Sequence, residues 1–595
     1  MFQPIKVLAL DLERPIETLE NLKDYGGVFA LVRVHGLPVG TVTVPVRSGR
    51  CDAEALGEAI LAQHWQAVVR RLLQCALRSP VPSGGFRIKD VLAVESQEPS
   101  APGTPLVTVA VCTRDRTTSL SLCLDALTRL NYPTLDLLVV DNAPHNDATE
   151  RLVRGRFPGM RYVRENRPGL DWARNRAIQE ARGEIIAFTD DDAVPDPNWV
   201  RAIVCVFLEN PEVMAVTGLV LPYELETPAQ MLFEQYGGFG KGFERKWYRV
   251  GRENGGKGRF HLGAGQFGTG ANMAYRRKLF DLIGGFDPTL DVGTVTHGGG
   301  DLEMFFRVLQ EGYPLVYEPA AIVWHRHRRD YAGLKWQIRS WGIGLYAYLV
   351  RSALAYRTER WAILRFGLWY LWAGYLRRLF RRPLFARDHT VDLVRANLKG
   401  ALLGPFCYLR ARAHAAKIIR PFGTQAYANL LRRSVSANLL PQSQKLTAVR
   451  LVDLSRPLGD LIDVSDHSSV RVFVVWQDRL LGHVEIANRH QPICADRVRE
   501  SIVSAIGLRL LDLHGQRDLN ALQAESFAVL ERHYLRRSTR PVARKLREEA
   551  RIMARSLRPG TLFWRLADLT RPIRHPLGIR LSTFERLASY LIREK

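Results

Sequence analysis

Residues 183–200 read GEIIAFTDDDAVPDPNWV, an apolar run that ends in Asp190, Asp191 and Asp192 and then in a proline-punctuated turn. Adjacent carboxylates repel one another unless a cation lies between or beside them. A hard divalent ion, Mn²⁺ or Mg²⁺, held by one or two carboxylates and a substrate diphosphate, resolves that repulsion. Capping aspartates for a following helix would look similar, but Asp196 and Pro197 are better placed to start that helix. Two other apolar runs end in the same kind of group: VTVAVC gives way to Thr113, Arg114, Asp115 and Arg116, and LDLLVVD delivers Asp141 and Asn142. Carboxylates and an arginine at neighbouring strand ends can pair a base edge, a ribose hydroxyl or a diphosphate. Together they outline a nucleotide pocket.

Such a pocket needs a scaffold that gathers strand ends. From Leu106, strand-like and helical runs alternate: VTVAVC, a helix from about Ser119, LDLLVVD, a helix from Asp147, MRYVRE, a helix from Asp171, EIIAFTDDD, a helix from Asn198, then VMAVTGLV. This alternation predicts an α/β, doubly wound parallel sheet with crossover helices. Ligands of such sheets sit outside the carboxyl ends of the strands, where the aspartates fall.

Residues 106–330 resemble the family 2 glycosyltransferases of GT-A fold. The motifs stand in family order: VTVAVCTRDR, LLVVDNA, ENRPGLDWARNRAI, AFTDDDAVPDP, GTGANMAYRR, GGFDPTL and GGGDLEMFFRVLQEGYPLVYEP. The resemblance implies a Rossmann-like, mostly parallel sheet and an inverting, metal-dependent transfer of a sugar from a nucleotide donor. It implies that Asp141 contacts the base, that Thr113, Arg114 and Asp115 line the donor pocket, and that Arg174 forms part of its wall. Asp190 and Asp192 are then the outer residues of a DxD motif, Asp190 near ribose and metal, Asp192 a direct ligand, and Asp191 between them on the donor side. His325, in IVWHRH, matches a position that supplies a metal or diphosphate contact in some members.

In an inverting displacement a carboxylate must take the proton of the attacking hydroxyl. Asp301 in GGGDLEMFFR fits that role, at the start of a helix whose Phe305, Phe306, Val308 and Leu309 face the core. The chain departs from the family here: the common pattern has Glu before this Asp, and this sequence has Gly300. Glu303 is the nearest substitute base. The Gly-, Lys- and Arg-rich loop from Lys241 to Phe267 is either a cover for diphosphate or acceptor, or an insertion.

Outside this region the chain repeats itself. Residues 11–60 align without a gap to residues 453–502, with Asp11, Arg14, Pro15, Asp24, Val28, Gly40, Val42 and Glu58 recurring as Asp453, Arg456, Pro457, Asp466, Val470, Gly482, Val484 and Glu500. Each copy reads as a hairpin, with its turn at His35-Gly36 or Asp478-Arg479, plus a helix. So small an α+β unit must pack on a neighbour. The division expected is an α+β module over 1–95, a linker over 96–105, the central domain over 106–330, an Arg- and Trp-rich helical extension over 331–423, a second α+β module over 445–535 and a basic helical tail over 540–595. The modules serve either structure and oligomerisation or acceptor binding.

The 595 residues, with 46% apolar, suit several folded domains. The net charge of +24 suits phosphorylated substrates, an anionic membrane or nucleic acid. No nucleic-acid partner is expected, because the arginines interleave with Trp and Leu and no RNA- or DNA-binding pattern occurs. Seven scattered cysteines without CxxC spacing indicate neither disulfides nor zinc. The first residues carry no secretory pattern, and Trp361–Leu376, containing Arg365, falls short of the roughly 20 residues of a span. That stretch reads as an interfacial membrane helix or a buried amphipathic one.

The expected protein is a glycosyltransferase at the cytoplasmic face of the membrane, peripherally bound, using a UDP sugar first and GDP or dTDP sugars as alternatives. Its acceptor is a glycan or a lipid-linked glycan of envelope or exopolysaccharide synthesis. The rival is a catalytically degenerate glycan-binding scaffold of the same fold, which retention of Asp190, Asp191, Asp192 and Asp301 opposes. A sugar nucleotidyltransferase would open with a Gly-rich phosphate loop after its first strand, and CTRDRTTS is not one.

Overall fold

The computed structural model describes residues 2–94, 104–249, 262–380, 389–419, 446–488, 491–513 and 519–535. The basic tail over 540–595 and nearly all of the linker over 96–105 lie outside the described residues.

In the first repeat copy the alternating runs form β2 (Gly27–Val34) and β3 (Leu37–Pro45), an antiparallel hairpin. Its two turn residues, His35 and Gly36, both take positive φ, 49° and 70°, as a two-residue turn matched to strand twist requires. The sequence did not announce β1 (Ile5–Asp11), which pairs parallel to β2. The helix Ala53–Ala76 follows and turns Leu56, Ile60, Val68, Leu72 and Leu73 inward.

From residue 107 the predicted alternation holds. The strands are β4 (Val107–Thr113), β5 (Leu135–Asn142), β6 (Arg161–Glu165), β7 (Ile185–Asp190), β8 (Ala193–Pro195), β9 (Ala215–Pro222), β10 (Lys246–Tyr248), β11 (Asn272–Arg276) and β12 (Leu315–His325). They make one nine-stranded sheet ordered β10-β12-β9-β11-β7-β4-β5-β6, with β8 paired to the end of β12. The strands β7, β4, β5 and β6 are mutually parallel, β9 is parallel to β12, and β11 runs antiparallel between β9 and β7. Every residue of β4 and β9 is buried, because helices cover both faces. One apolar layer gathers Phe188, Tyr275, Phe286, Phe305 and Phe306, and the other gathers Val109, Leu124, Trp199 and Phe207. Of the loop from Lys241 to Phe267, the described flanks are packed: Lys246–Tyr248 is an edge strand, and Leu262, Ala264 and Phe267 are buried.

The extension is helical. Tyr331–Ala355 lies along His389–Ile419, close enough at Gly400 that a Cβ there would stand 2.0 Å from the Arg339 carbonyl. Arg360–Tyr370 continues into a π-helical turn, Leu371–Leu376. Among the described residues no helix is long and apolar enough to cross a membrane.

The second repeat copy forms β13 (Thr447–Asp453), β14 (Ser469–Trp476) and β15 (Arg479–Ala487) in the arrangement of the first. Ile5 faces Gly27 and Thr447 faces Ser469, and both hairpins carry a register shift before the turn, at Val32/Arg33 and Val474/Val475. The turn sits at Gln477-Asp478 (φ 46° and 62°), one residue before the expected Asp478-Arg479, because Arg479 is needed to pair with Trp476. The two copies share one apolar core, in which Trp65 meets Phe527 edge-on at 6.3 Å and Val81 N–H donates to the Leu454 carbonyl.

The paired modules dock on the central domain through charge. Arg33 Nη2 donates to Asp196 at 2.6 Å, and both side chains are largely buried. Arg245 reaches Glu318, Glu209 and Glu500 at once. Removing one partner of a buried pair costs about 3 kcal/mol or more, because the other charge is left uncompensated. Arg33→Ala is therefore expected to lower the thermal midpoint markedly, and Arg33→Ala/Asp196→Asn to recover much of the loss, as read by scanning calorimetry.

Candidate active site

The register of the parallel strands assembles the site. Cys112 of β4 pairs with Asp190 of β7, and Thr113 pairs with Asp141 of β5, so three strand ends present their polar residues at one edge. The chain then reverses. β8 pairs antiparallel with the end of β12, Ala193 opposite His325, and Arg326 N–H donates to the Asp192 carbonyl at 2.9 Å. This return lays His325 over the carboxylates. Asp190, Asp192 and His325 each offer a ligand atom, all within 4.8 Å of one another, and His325 Nε2 lies 3.2 Å from Asp192 Oδ1. Two carboxylates and an imidazole fit a divalent ion of the Mn²⁺ type.

Asp191 faces elsewhere. Its Oδ2 accepts from Thr113 Oγ1 at 2.7 Å and its Oδ1 from Arg116 Nη1 at 2.5 Å, while Arg116 Nη2 donates to Asp192 Oδ2 at 2.7 Å. Burial and the neighbouring carboxylates outweigh these contacts and push Asp191 up to about 7. Burial and repulsion from Asp192 also raise Asp190. Burial would raise Asp192 too, but His325 and Arg116 pull it well below the usual carboxylate range. His325 is raised in turn, the attraction of Asp192 and Asp190 exceeding the effect of burial. The group thus holds Asp192 as the firm anion.

Asp141 is fully buried, accepts from Tyr162 OH at 2.8 Å, and is raised by its burial. Asp115 takes the left-handed conformation (φ 52°) and binds both the backbone N–H and Nδ1 of His145. Arg114 lies beside it, 3.9 Å away and half-exposed. Arg174 is buried, pairs with Asp171 at 2.9 Å and stacks 5.3 Å over Phe286. The turn before its helix, Leu170–Glu180, is held by Asn142, which donates to the Arg167 carbonyl and accepts from Gly169 N–H.

Asp301 stands in the first turn of the helix Gly300–Gln310, half-buried, and its Oδ2 accepts from Gly270 N–H at 2.9 Å. Phe305, Phe306, Val308 and Leu309 of that helix are buried. A Cβ on Gly270 would stand 2.6 Å from Arg174 Nη2 and 3.3 Å from Asp301 Oδ2, so Arg174 and Asp301 flank one glycine. Glu303 does not reach the pocket: it is fully buried between Arg307 and Arg351. It is therefore no substitute base.

Gly300 has a physical cause. A Cβ there would stand 1.9 Å from Asp171 Oδ2, so the Asp171 carboxylate occupies the space of a side chain before Asp301. Asp171 is buried, its Oδ2 has no hydrogen-bond partner, and burial raises it to about 7 against the pull of Arg174. Sequence reasoning missed Asp171 and His327, two residues after His325, and placed Arg116 at the pocket without its bridge to Asp191 and Asp192. Arg116 was visible in TRDR, and His327 shares the alternation of His325 along the strand direction. Asp171 carried no signal except that Gly300 is empty.

Residues 108–284 match the model of "Glycosyl transferase family 2". A glucosyl-dolichyl phosphate glucuronosyltransferase of Haloferax volcanii is 27% identical over 188 residues, 30% of this chain and 56% of that protein. A pre-mycofactocin glycosyltransferase of Mycobacterium tuberculosis is 22% identical over 253 residues, 42% of this chain and 48% of that protein. The chain thus spans about half the length of these relatives. A mannosyltransferase of Pyrobaculum calidifontis, solved with GDP-Man and Mn²⁺, overlays 64% of this chain and 97% of its own at 19% identity with a TM-score of 0.33.

Restoring a side chain at position 300 is expected to destabilise the protein. Overpacking of this kind costs about 1–3 kcal/mol. Gly300→Glu should melt well below wild type, and Gly300→Glu/Asp171→Gly should melt above the single variant; equal melting of Gly300→Glu and wild type would show the space to be free.

Proposed function

Because residues 108–284 form a family 2 glycosyltransferase domain, we propose that the protein transfers a sugar, with inversion, from a nucleotide-sugar donor to a hydroxyl of a glycan or lipid-linked acceptor. The observation that carries this reading is the convergence of Asp190, Asp192 and His325 at the edge where Asp141 and Thr113 also end. Asp190, Asp192 and His325 would hold Mn²⁺ or Mg²⁺, which supplies charge neutralisation at the departing diphosphate. Asp141, Thr113, Arg114 and Asp115 are the proposed donor contacts, with a UDP sugar as the first candidate. Arg116 and Asp191 hold the metal-side carboxylates in place rather than facing the ion. Asp301, in the first turn of the helix Gly300–Gln310 and across Gly270 from Arg174, is the proposed general base. The glucuronosyltransferase relative, named for a glucosyl-dolichyl phosphate, supports a lipid-linked acceptor.

The extension supports a membrane-facing role. Trp361, Leu364 and Leu368 form an exposed stripe on one helix, Leu402, Phe406 and Leu409 another, with Arg360, Arg365, Arg377, Arg378 and Arg410 exposed beside them. Aromatic and aliphatic side chains rimmed by arginine suit the headgroup layer of an anionic leaflet. We place the enzyme peripherally on the cytoplasmic face.

Two measurements check these readings. Nucleoside diphosphate release from UDP, GDP and dTDP sugars, with an acceptor extract present, should require Mn²⁺ or Mg²⁺ and vanish with EDTA. Asp192→Asn should abolish it, and Asp301→Asn should lower it about 10²- to 10⁴-fold, the contribution of a positioned base; unchanged release in both variants would refute the assignment. Co-sedimentation with anionic vesicles should exceed that with neutral ones and fall in Trp361→Ser/Leu364→Ser/Leu368→Ser.

A further inference from the structure

The histidine of the metal group is one end of a buried chain of polar contacts. His325 Nδ1 lies 3.1 Å from His327 Nδ1, and His327 Nε2 lies 2.8 Å from Glu234 Oε1. His327 is 3% exposed. Its ring rests on Phe233 at 4.3 Å, and the His325 ring meets Phe239 edge-on at 5.1 Å, so neither imidazole is free to turn. Gln230, one helical turn before Glu234, donates to the His327 carbonyl and to Glu224. The helix Pro228–Tyr236, begun by a Thr227 and Gln230 capping box, therefore grips both the backbone and the ring of His327.

With both imidazoles neutral, hydrogen-bond alternation along this chain admits one order. A carboxylate only accepts, so His327 must donate Nε2–H to Glu234. The two Nδ1 atoms face each other at 3.1 Å and can share only one proton, so with Nε2–H committed to Glu234 a neutral His327 presents its Nδ1 as a lone pair. That lone pair accepts Nδ1–H of His325. The proton of a neutral His325 is thereby fixed on Nδ1, and Nε2, the atom beside Asp192, presents a lone pair.

We propose that Glu234 and His327 are positioning residues that fix the tautomer and ring orientation of His325 for divalent metal. The proposal rests on the metal reading of Asp190, Asp192 and His325. Outer partners of a ligating histidine are worth about 10- to 100-fold in metal affinity.

The test is Mn²⁺ binding by the full chain without donor, with free Mn²⁺ read by electron paramagnetic resonance. Asp192→Asn serves as the control for the metal reading itself: absence of Mn²⁺ binding by wild type would overturn that reading and this one with it. Given wild-type binding, His327→Phe, which keeps an aromatic ring against Phe233 but cannot accept, should bind Mn²⁺ about 10- to 100-fold more weakly. His327→Gln, whose amide oxygen can still accept, should recover part of the loss. Glu234→Leu should weaken binding with His327 in place, and it decides the matter if His327→Phe does not fold. In ¹⁵N-histidine spectra of the metal-free protein, taken where His325 is neutral, its proton should sit on Nδ1 in wild type and shift toward Nε2 in His327→Phe. Wild-type Mn²⁺ affinity in His327→Phe or Glu234→Leu, or equal losses in His327→Phe and His327→Gln, would overturn the proposal.

Discussion

Three consecutive carboxylates at the end of a buried strand set the terms for everything around them. Two like charges about 4 Å apart repel by about 4 kcal/mol at the effective dielectric of a protein surface. A domain whose whole stability is about 5–15 kcal/mol cannot carry three such charges uncompensated. Strand alternation divides the problem, sending Asp191 to the opposite side from Asp190 and Asp192. There Thr113 and Arg116 engage it, and Arg116 also braces Asp192. His325 approaches from the other side, brought in by the pairing of β8 with β12. A divalent ion among Asp190, Asp192 and His325 would complete a balance that protein cations meet only in part.

The second constraint is steric. Around the proposed base, space and charge are rationed among Asp171, Arg174, Asp291 and Asp301. Asp171 N–H donates to Asp291 Oδ1, its Oδ1 binds Arg174, and its Oδ2 fills the volume beside Gly300. A carboxylate adjacent to Asp301 is thus present although the residue before Asp301 has no side chain. It comes from another element, 129 residues earlier in the chain by the numbering of Asp171 and Gly300. The resemblance alone reads Gly300 as a missing group, whereas the packing reads it as a position kept empty. Restoring the family residue without removing Asp171 would force two buried side chains into one volume.

Local pattern and parallel register made much of this legible. The runs ending at Thr113, Asp141 and Asp190 are apolar and uniform, so their strands and the edge they share follow from sequence, and the helix expected from about Ser119 begins only two residues earlier, at Thr117. What sequence hid is what depends on contacts between distant segments. β1 pairs parallel to β2 across a long connection and carries no turn signal. The hairpin turn of the second copy slid by one residue because Gln477 and Asp478 look no more turn-like than Asp478 and Arg479. Glu303 resembles a base in one dimension and is a buried counter-charge to Arg307 and Arg351 in three. His327 and Glu234 meet only because a helix and the strand end beyond β12 pack together.

The repeated modules obey the same logic. The alternation that makes each copy recognisable is also what buries it: Val28, Val32 and Val42 of one copy and Val470, Val474 and Val484 of the other lie in a single core. The core they share is closed within one chain, so pairing between the copies needs no second molecule. What the pair offers outward is charge. Arg33 and Arg497 of the modules bind Asp196 and Glu212 of the central domain, Glu500 binds its Arg245, and a cleft of about 2150 Å³ remains along that seam, lined by His35, Arg71, Trp247 and Glu500. This cleft lies at the starts of β9 and β12, the edge opposite Asp190. Size alone would choose it as the site, but its cations are largely matched by carboxylates, whereas Asp190 and Asp192 are short of positive charge. An excess of one sign held rigidly at a strand edge marks the chemistry better than volume does.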